Sequence, residues 1–272
     1  MLSFLGEQDA AVAASARRFV ARALKIDDHE LALNSEVSLL ASEVDALNPL
    51  LQRLKDGEPL AYVEGTVGFY KHEFIIDHRA LIPRADSEVV VELCLDSIHH
   101  NLEQQLLDVG TGSGCLLLSL LAELPLASGV AIDVEQPALD IAALNAQHVG
   151  VADRINFVHS DCLARLSVDH QFDLIVSNPP YIVQGEKLGN SVAEHEPHSA
   201  LFVTNGDPMQ FYSQILCQAK KHLVPHGVIV FEIGANREQD LALTATENGY
   251  QIIEQRQDLS GIVRAISLRL LA

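Results

Sequence analysis

Leu106-Leu107-Asp108-Val109-Gly110-Thr111-Gly112-Ser113-Gly114 is the stretch on which the fold turns. A short apolar run ends at an aspartate and valine, breaks into three glycines at every second position, and leads into the apolar segment Cys115 to Ala122. Glycines after a strand let the backbone turn sharply into a helix and let a ligand come close to it. A dinucleotide fingerprint would place its third glycine at position 115, which is Cys115. The G-x-G-x-G spacing suits a cofactor without a pyrophosphate, such as S-adenosylmethionine, with its amino-acid end against Gly110, Thr111, Gly112, Ser113 and Gly114.

Outward from this loop, apolar strands alternate with helical segments. The further strands are read at Val130–Ile132, Ile155–Val158, Leu174–Val176 and Val228–Phe231, with helices at Pro137–His148 and Met209–Leu223 between them. Continuous apolar strands separated by helices predict an α/β domain with a mostly parallel sheet covered on both faces. Tyr250–Ile253 and Val263–Leu268 read as an antiparallel closing pair, which brings the strand count to seven. This domain is assigned to residues 104–272. Ahead of it, residues 61–103 read as a connector: a β-hairpin of Thr66–Tyr70 and Phe74–Ile76 about Lys71-His72-Glu73, then a helix from Ser87 to Ile98. Residues 1–60 read as a small helical domain. Apolar residues recur at three- and four-residue spacing through Val12, Ala16, Phe19, Val20, Ala23 and Leu24, and again from Val37 to Leu54. Asp27 and Ser35 are candidate N-caps, and Asp56-Gly57-Glu58-Pro59 is a stop signal. Nothing in this region suggests catalysis, which leaves substrate recognition or packing.

Three positions after the glycine loop carry chemistry. Asp133 closes the next strand about 20 residues on, where a carboxylate accepts the hydroxyl protons of a ribose. It also fits a helix N-cap, but the glycine loop ahead of it favours the ribose role. Asp161 follows the third strand where nucleotide folds contact an adenine amino group; a capping carboxylate is the other reading. The deciding signal is Ser177-Asn178-Pro179-Pro180-Tyr181 at the carboxyl end of Phe172–Val176, the end that lines the ligand crevice of such sheets. Consecutive prolines fix the backbone and leave carbonyls free to accept. An amide or aromatic amino nitrogen is a poor nucleophile because its lone pair is delocalised. The Asn178 oxygen and the Pro179 carbonyl could hold its two N–H bonds and aim the lone pair at a sulfonium methyl, a catalysis of proximity and preorganisation. Tyr181 could pack on the planar acceptor group.

Composition narrows the partners. The chain has 272 residues, 48% hydrophobic and 20% charged, with 37 acidic residues against 18 basic ones and a formal charge of -19. An acidic surface without a basic cluster disfavours a phosphate backbone, so no direct nucleic-acid partner is expected. No apolar stretch is long enough to span a bilayer and no secretory leader precedes the first acidic residues, so no membrane role is expected. The basic residues Arg17, Arg18, Arg22 and Lys25 read as part of an ordinary helix. Cys94, Cys115, Cys162 and Cys217 are too widely spaced for a zinc or disulfide framework and fit a reducing cytoplasm. Neither His99-His100 nor Asp27-Asp28-His29-Glu30 is taken as a metal site.

Taken together, these motifs resemble the HemK/PrmC family, the release-factor glutamine N5-methyltransferases. The resemblance runs from about Gly57 to the end. It rests on Glu58-Pro59-Leu60-Ala61-Tyr62, Phe69-Tyr70, Asp108–Gly114, Asp133, Asp161, Asn178–Tyr181, Glu196-Pro197, Gly206-Asp207, Phe211-Tyr212, Glu232-Ile233-Gly234 and Asp258–Gly261. It implies a Rossmann-like class I methyltransferase fold with a small N-terminal helical substrate-recognition domain, S-adenosyl-L-methionine as cofactor, and class I peptide chain release factors as protein partners. The methyl acceptor would be the glutamine of their Gly-Gly-Gln loop. Asn178, Pro179, Pro180 and Tyr181 would be catalytic, with Gly110–Gly114, Asp133, Asp161, Cys162 and Asn178 against the cofactor, in a monomer. The chain departs from the family pattern at Ala85-Asp86-Ser87, at Cys162 where an aromatic residue is usual, and from Val183 to His195. Two rivals share parts of the signature: a glutamine methyltransferase of a ribosomal protein, and an adenine N6 methyltransferase of nucleic acid. The run from Asp258 to Arg264 and Phe211-Tyr212 favour the release-factor group over the first, and the net charge disfavours the second.

Overall fold

The computed structural model describes residues 20–21, 40–186 and 190–271. The first helical repeat apart from Val20, the candidate caps Asp27 and Ser35, and the basic residues near Arg17 lie outside them. The chain divides into two units, residues 1–65 and 66–272.

In the first unit, α1 (Ala41–Lys55) follows the predicted apolar spacing, and a short α2 (Leu60–Glu64), which the sequence reading did not anticipate, follows the stop at Asp56–Pro59. Leu47 and Val63 are buried with Val20, and Leu50, Leu51, Leu54 and Leu60 pack on them. The turn between the helices is held by Arg53, which pairs with Glu58 and donates to the Tyr62 carbonyl at 3.0 Å.

The second unit opens with a hairpin, β1 (Thr66–Phe69) and β2 (His72–Ile75). Its turn is Tyr70-Lys71, one residue shorter than the Lys71-His72-Glu73 turn the sequence suggests and starting one residue earlier, with Tyr70 at a left-handed φ of 54°. Cross-strand Phe69 and Phe74 meet edge to face at 6.1 Å, both fully buried. A single 3₁₀ turn, Ala85–Ser87, precedes α3 (Glu88–Asp96). The remaining α-helices and strands are β3 (Gln105–Val109), α4 (Cys115–Glu123), β4 (Ser128–Asp133), α5 (Gln136–Val149), β5 (Ile155–His159), β6 (Phe172–Ser177), α6 (Asn190–His195), α7 (His198–Leu201), α8 (Gln210–Ala219), β7 (Leu223–Glu232), α9 (Glu238–Glu247), β8 (Tyr250–Gln257) and β9 (Val263–Leu270).

The seven strands β3–β9 form one sheet in the order β5-β4-β3-β6-β7-β9-β8. β3 through β7 are parallel, and β9 runs antiparallel to both β7 and β8. Alternation along each strand feeds two cores. Leu106, Ala131, Leu174, Val176, Val228 and Val230 face α3, α4 and the hairpin. Leu107, Val109, Ile132, Ile175, Ile229 and Phe231 face α8 and α9. The chain lays β4 and β5 to one side of β3, then crosses back to place β6 on the other. The carboxyl ends of β3 and β6 therefore part at a topological switch point, where open α/β sheets bind ligands.

Candidate active site

The glycine loop leaves β3 at that switch point. Gly110, Gly112 and Gly114 have φ of 73°, 54° and 83°, a left-handed series that only glycine adopts without strain. A Cβ on Gly110 or Gly112 would meet no atom within 4 Å, so both face open space. Gly114 does a different job: it caps α4, and a Cβ there would lie 2.8 Å from Leu118 Cδ1 and 3.3 Å from Ala142 Cβ. It permits close helix packing and does not line the cavity beside the loop.

Several bonds hold the loop. The Thr111 hydroxyl donates to Asp108 Oδ2 at 2.7 Å, and the Gly110 and Thr111 N–H groups donate to the Ile132 carbonyl at 2.9 and 3.0 Å. Asn145 of α5 donates to the Ser113 carbonyl and also exchanges bonds with the Ile75 main chain, tying loop, helix and hairpin together. Across the switch point, the buried Ser177 hydroxyl donates to the Val109 carbonyl at 2.6 Å. The exits of β3 and β6, and with them the glycine loop and Asn178, are thereby set relative to each other.

These elements surround a cavity of about 1110 Å³, its open mouth included. Gly110, Thr111, Gly112, Ser113, Asp133, Asp161, Cys162, Asn178, Pro179 and Pro180 all line it. Tyr181 does not; its ring lies against the backbone of Gly234, where a Cβ would come within 2.9 Å of two ring carbons. Asp133 accepts the Gly112 N–H at 2.9 Å and the Glu135 N–H at 2.9 Å, one on each carboxylate oxygen. Each oxygen keeps a second lone pair. Burial raises its pKa against the pull of those N–H groups. Asp161 is exposed and accepts a bond from Gln214 at 3.2 Å. Beside it Cys162 has a left-handed φ of 44°, and burial together with the Asp161 charge pushes its thiol pKa up to about 12, so it is no thiolate.

Residues that sequence reasoning gave no role complete the wall. Leu81, Ile82, Pro83 and Arg84 form one side, and Leu116, Ala138, Phe211 and Ile215 supply apolar surface. The Arg84 strap is pinned by buried Glu196, which accepts from the Arg84 guanidinium and from the Ile82 N–H at 3.2 Å. Glu196-Pro197 had been legible as a motif, but the pairing spans 112 residues and needed the fold. Besides Asp133 and Glu196, two further buried carboxyls adjoin the site: desolvation pushes both Asp108 and Glu232 up to about 7. Among the described residues no cluster of His, Cys, Asp and Glu could hold a metal ion, and no helix is long and apolar enough to cross a membrane.

Comparison with known proteins agrees with this architecture. Residues 85–200 match the methyltransferase small domain, and residues 2–65 match the PrmC N-terminal domain. The chain is 37% identical over 260 residues to a release factor glutamine methyltransferase of Bradyrhizobium diazoefficiens, covering 93% of this chain and 86% of the relative. It is 38% identical over 265 residues to a bifunctional methyltransferase of Rickettsia felis, but there 87% of this chain matches only 50% of the relative, so the chain spans about half the length of such relatives. In fold it is similar to a ribosomal protein L11 methylase of Lactobacillus delbrueckii subsp. bulgaricus, with a TM-score of 0.52 at 20% identity over 70% of this chain and 81% of that one. With identity of this level along most of both chains, and with both of its regions matched, the chain belongs to the release factor glutamine methyltransferase family.

Proposed function

We propose that the chain transfers a methyl group from S-adenosyl-L-methionine to the side-chain amide nitrogen of the glutamine in the Gly-Gly-Gln loop of class I peptide chain release factors. The observation that carries this reading is the position of Asn178 and Pro179 on the wall of the same cavity as the glycine loop and Asp133.

The residues present fit such a cofactor. Open space over Gly110 and Gly112 leaves room for a close backbone approach, and the spare lone pairs of Asp133 suit two ribose hydroxyls. The apolar surface of Leu116, Ala138 and Ile215 suits a flat ring, with Asp161 and Cys162 at its edge. When bound, the cofactor supplies an electrophilic methyl group on a sulfonium. The chain's own contribution is orientation. The Asn178 oxygen and the Pro179 carbonyl accept the two N–H bonds of the acceptor amide and point its lone pair into the cavity. Pro180 keeps the turn rigid, and Tyr181, braced on Gly234, holds the segment that follows. No general base is needed before transfer, because the nitrogen becomes more acidic once methylated. Residues 1–65 are assigned to docking of the protein substrate, in keeping with their match to the PrmC N-terminal domain.

The test is incubation with methyl-labelled S-adenosylmethionine and, separately, a release factor, ribosomal proteins and duplex DNA. Label is expected in the release factor, on the peptide that carries Gly-Gly-Gln. Label in a ribosomal protein or in adenine instead would replace this substrate.

A further inference from the structure

Glu232 is the last residue of β7, and the register that sets Ser177 opposite Phe231 places it beside Asn178 as the two strands end. Its side chain is buried in the second unit, and Oε2 has no hydrogen-bond partner. The main chain here is fixed, because the buried Tyr212 hydroxyl donates to the Glu232 carbonyl at 2.9 Å. The groups coupled electrostatically to the carboxyl are Asp86 and Ser87 of the 3₁₀ turn, Cys115 of α4, Asn178 and Tyr181 after β6, Tyr212 of α8 and Arg264 of β9. Of these, Ser87 and Asn178 offer hydrogen bonds that favour the ionised form. A buried carboxylate with an unfilled oxygen is costly, and an apolar side chain would pack there more cheaply.

We propose that Glu232 is a positioning residue whose carboxylate accepts an N–H from the Asn178 side-chain amide and so turns the Asn178 oxygen toward the methyl-accepting nitrogen. The inference rests on the amide-directed reaction above and deepens it. The two ends of an asparagine amide are nearly alike in shape but opposite in hydrogen bonding. Without a fixed acceptor on the nitrogen side, both orientations are populated, and one of them sets N–H against N–H of the substrate. Burial brings the Glu232 carboxyl up to about 7, so acidification puts a proton on it. A protonated carboxyl can donate to the Asn178 oxygen and reverse the amide. The ionised form is therefore the active one, and turnover falls as pH drops through that value.

The experiment compares wild type, Glu232→Gln and Glu232→Leu in single-turnover methylation at saturating cofactor from pH 5.5 to 8.5. Thermal unfolding confirms that each is folded. Wild type is expected to lose rate on the acid side of about pH 7. Glu232→Gln, whose amide oxygen still accepts, should keep a measurable rate without that acid limb. Glu232→Leu should lose ~10²-fold in rate with cofactor affinity unchanged, as misplacement of a reacting group typically costs. Asp108 and Asp133 are unchanged in all three proteins, so an acid limb that survives in Glu232→Gln would overturn the proposal. So would a wild-type rate in Glu232→Leu. A second readout is independent of turnover: the ¹⁵N-resolved side-chain amide signals of Asn178, identified by their loss in Asn178→Ala. They should titrate near pH 7 in wild type and stay fixed in Glu232→Gln; signals that ignore pH in both would refute the contact. Should wild type methylate none of the acceptors, the substrate reading fails while these spectra still decide the role of Glu232.

Discussion

At the scale of single residues, the proposed reaction puts its heaviest chemical load on Asn178. If its oxygen holds the acceptor amide, Asn178→Ala should reduce the single-turnover rate ~10²–10³-fold, the usual effect of removing a preorganised active-site hydrogen bond. Asn178→Asp keeps an acceptor in place and should retain more activity than alanine. Cofactor affinity by calorimetry should change little in either, and a stable, cofactor-binding Asn178→Ala protein of normal rate would end the mechanism. Asp108 makes a different prediction, about stability. Its folded pKa is raised by burial from 3.8 to about 7, with the Thr111 hydroxyl pulling the other way. A raised folded pKa means that the native state holds the proton more tightly. The associated stabilisation is present at low pH and is lost as pH rises through about 7. Denaturant unfolding at pH 5, 6, 7 and 8 should show wild type losing stability relative to Asp108→Asn across this range. Parallel profiles would show that Asp108 is not so perturbed.

At the scale of elements, the site depends on how strand ends are fastened. β3 and β6 deliver the glycine loop and the Asn-Pro-Pro-Tyr turn, and the Ser177–Val109 bond joins the two exits. Beyond β7, Gly234 leaves the space that the Tyr181 ring occupies. In Gly234→Ala the new Cβ would sit 2.9 Å from that ring, inside contact distance and against a rigid planar group. The ring must move, and it carries the segment after Pro180 with it. Overpacking of this kind typically costs about 1–3 kcal/mol. The expected outcome is a lower unfolding midpoint and a lower kcat, with cofactor binding close to wild type. Unchanged kcat would show that the Tyr181 contact does not position the turn.

At the scale of the whole molecule, both large apolar cores lie within residues 69–268, and each is built from strands and helices of the second unit. A fragment of residues 66–272 is therefore expected to fold and to bind S-adenosylmethionine. It should lose transfer to an intact release factor, because the proposed docking region is gone. Full activity of the fragment on that protein would remove the recognition role from residues 1–65. The formal charge of -19 bears on the same scale: it favours a partner with basic surface and weakens as salt screens it.

The local sequence determined much of this protein by itself. Val130–Ile132 and Leu174–Val176 are short apolar runs with β-branched residues, the composition that covered strands carry, and each falls inside an observed one, β4 and β6. The left-handed turn after β3 follows from the spacing of Gly110, Gly112 and Gly114, since other residues resist positive φ. The Asn178–Tyr181 segment likewise stood out through residue type and place, and Asn178, Pro179 and Pro180 line the cavity. What tertiary structure decided were pairings between distant residues, which carry no periodic signature. Glu196 on Arg84, Asn145 on Ile75, Ser177 on Val109 and Glu232 beside Asn178 are set by strand order and register. The same holds for the division of labour within the glycine loop, where Gly110 and Gly112 face the cavity and Gly114 faces Leu118. Residue type fixes what a side chain can do, but which group stands opposite it depends on how the chain crosses back from β5 to β6.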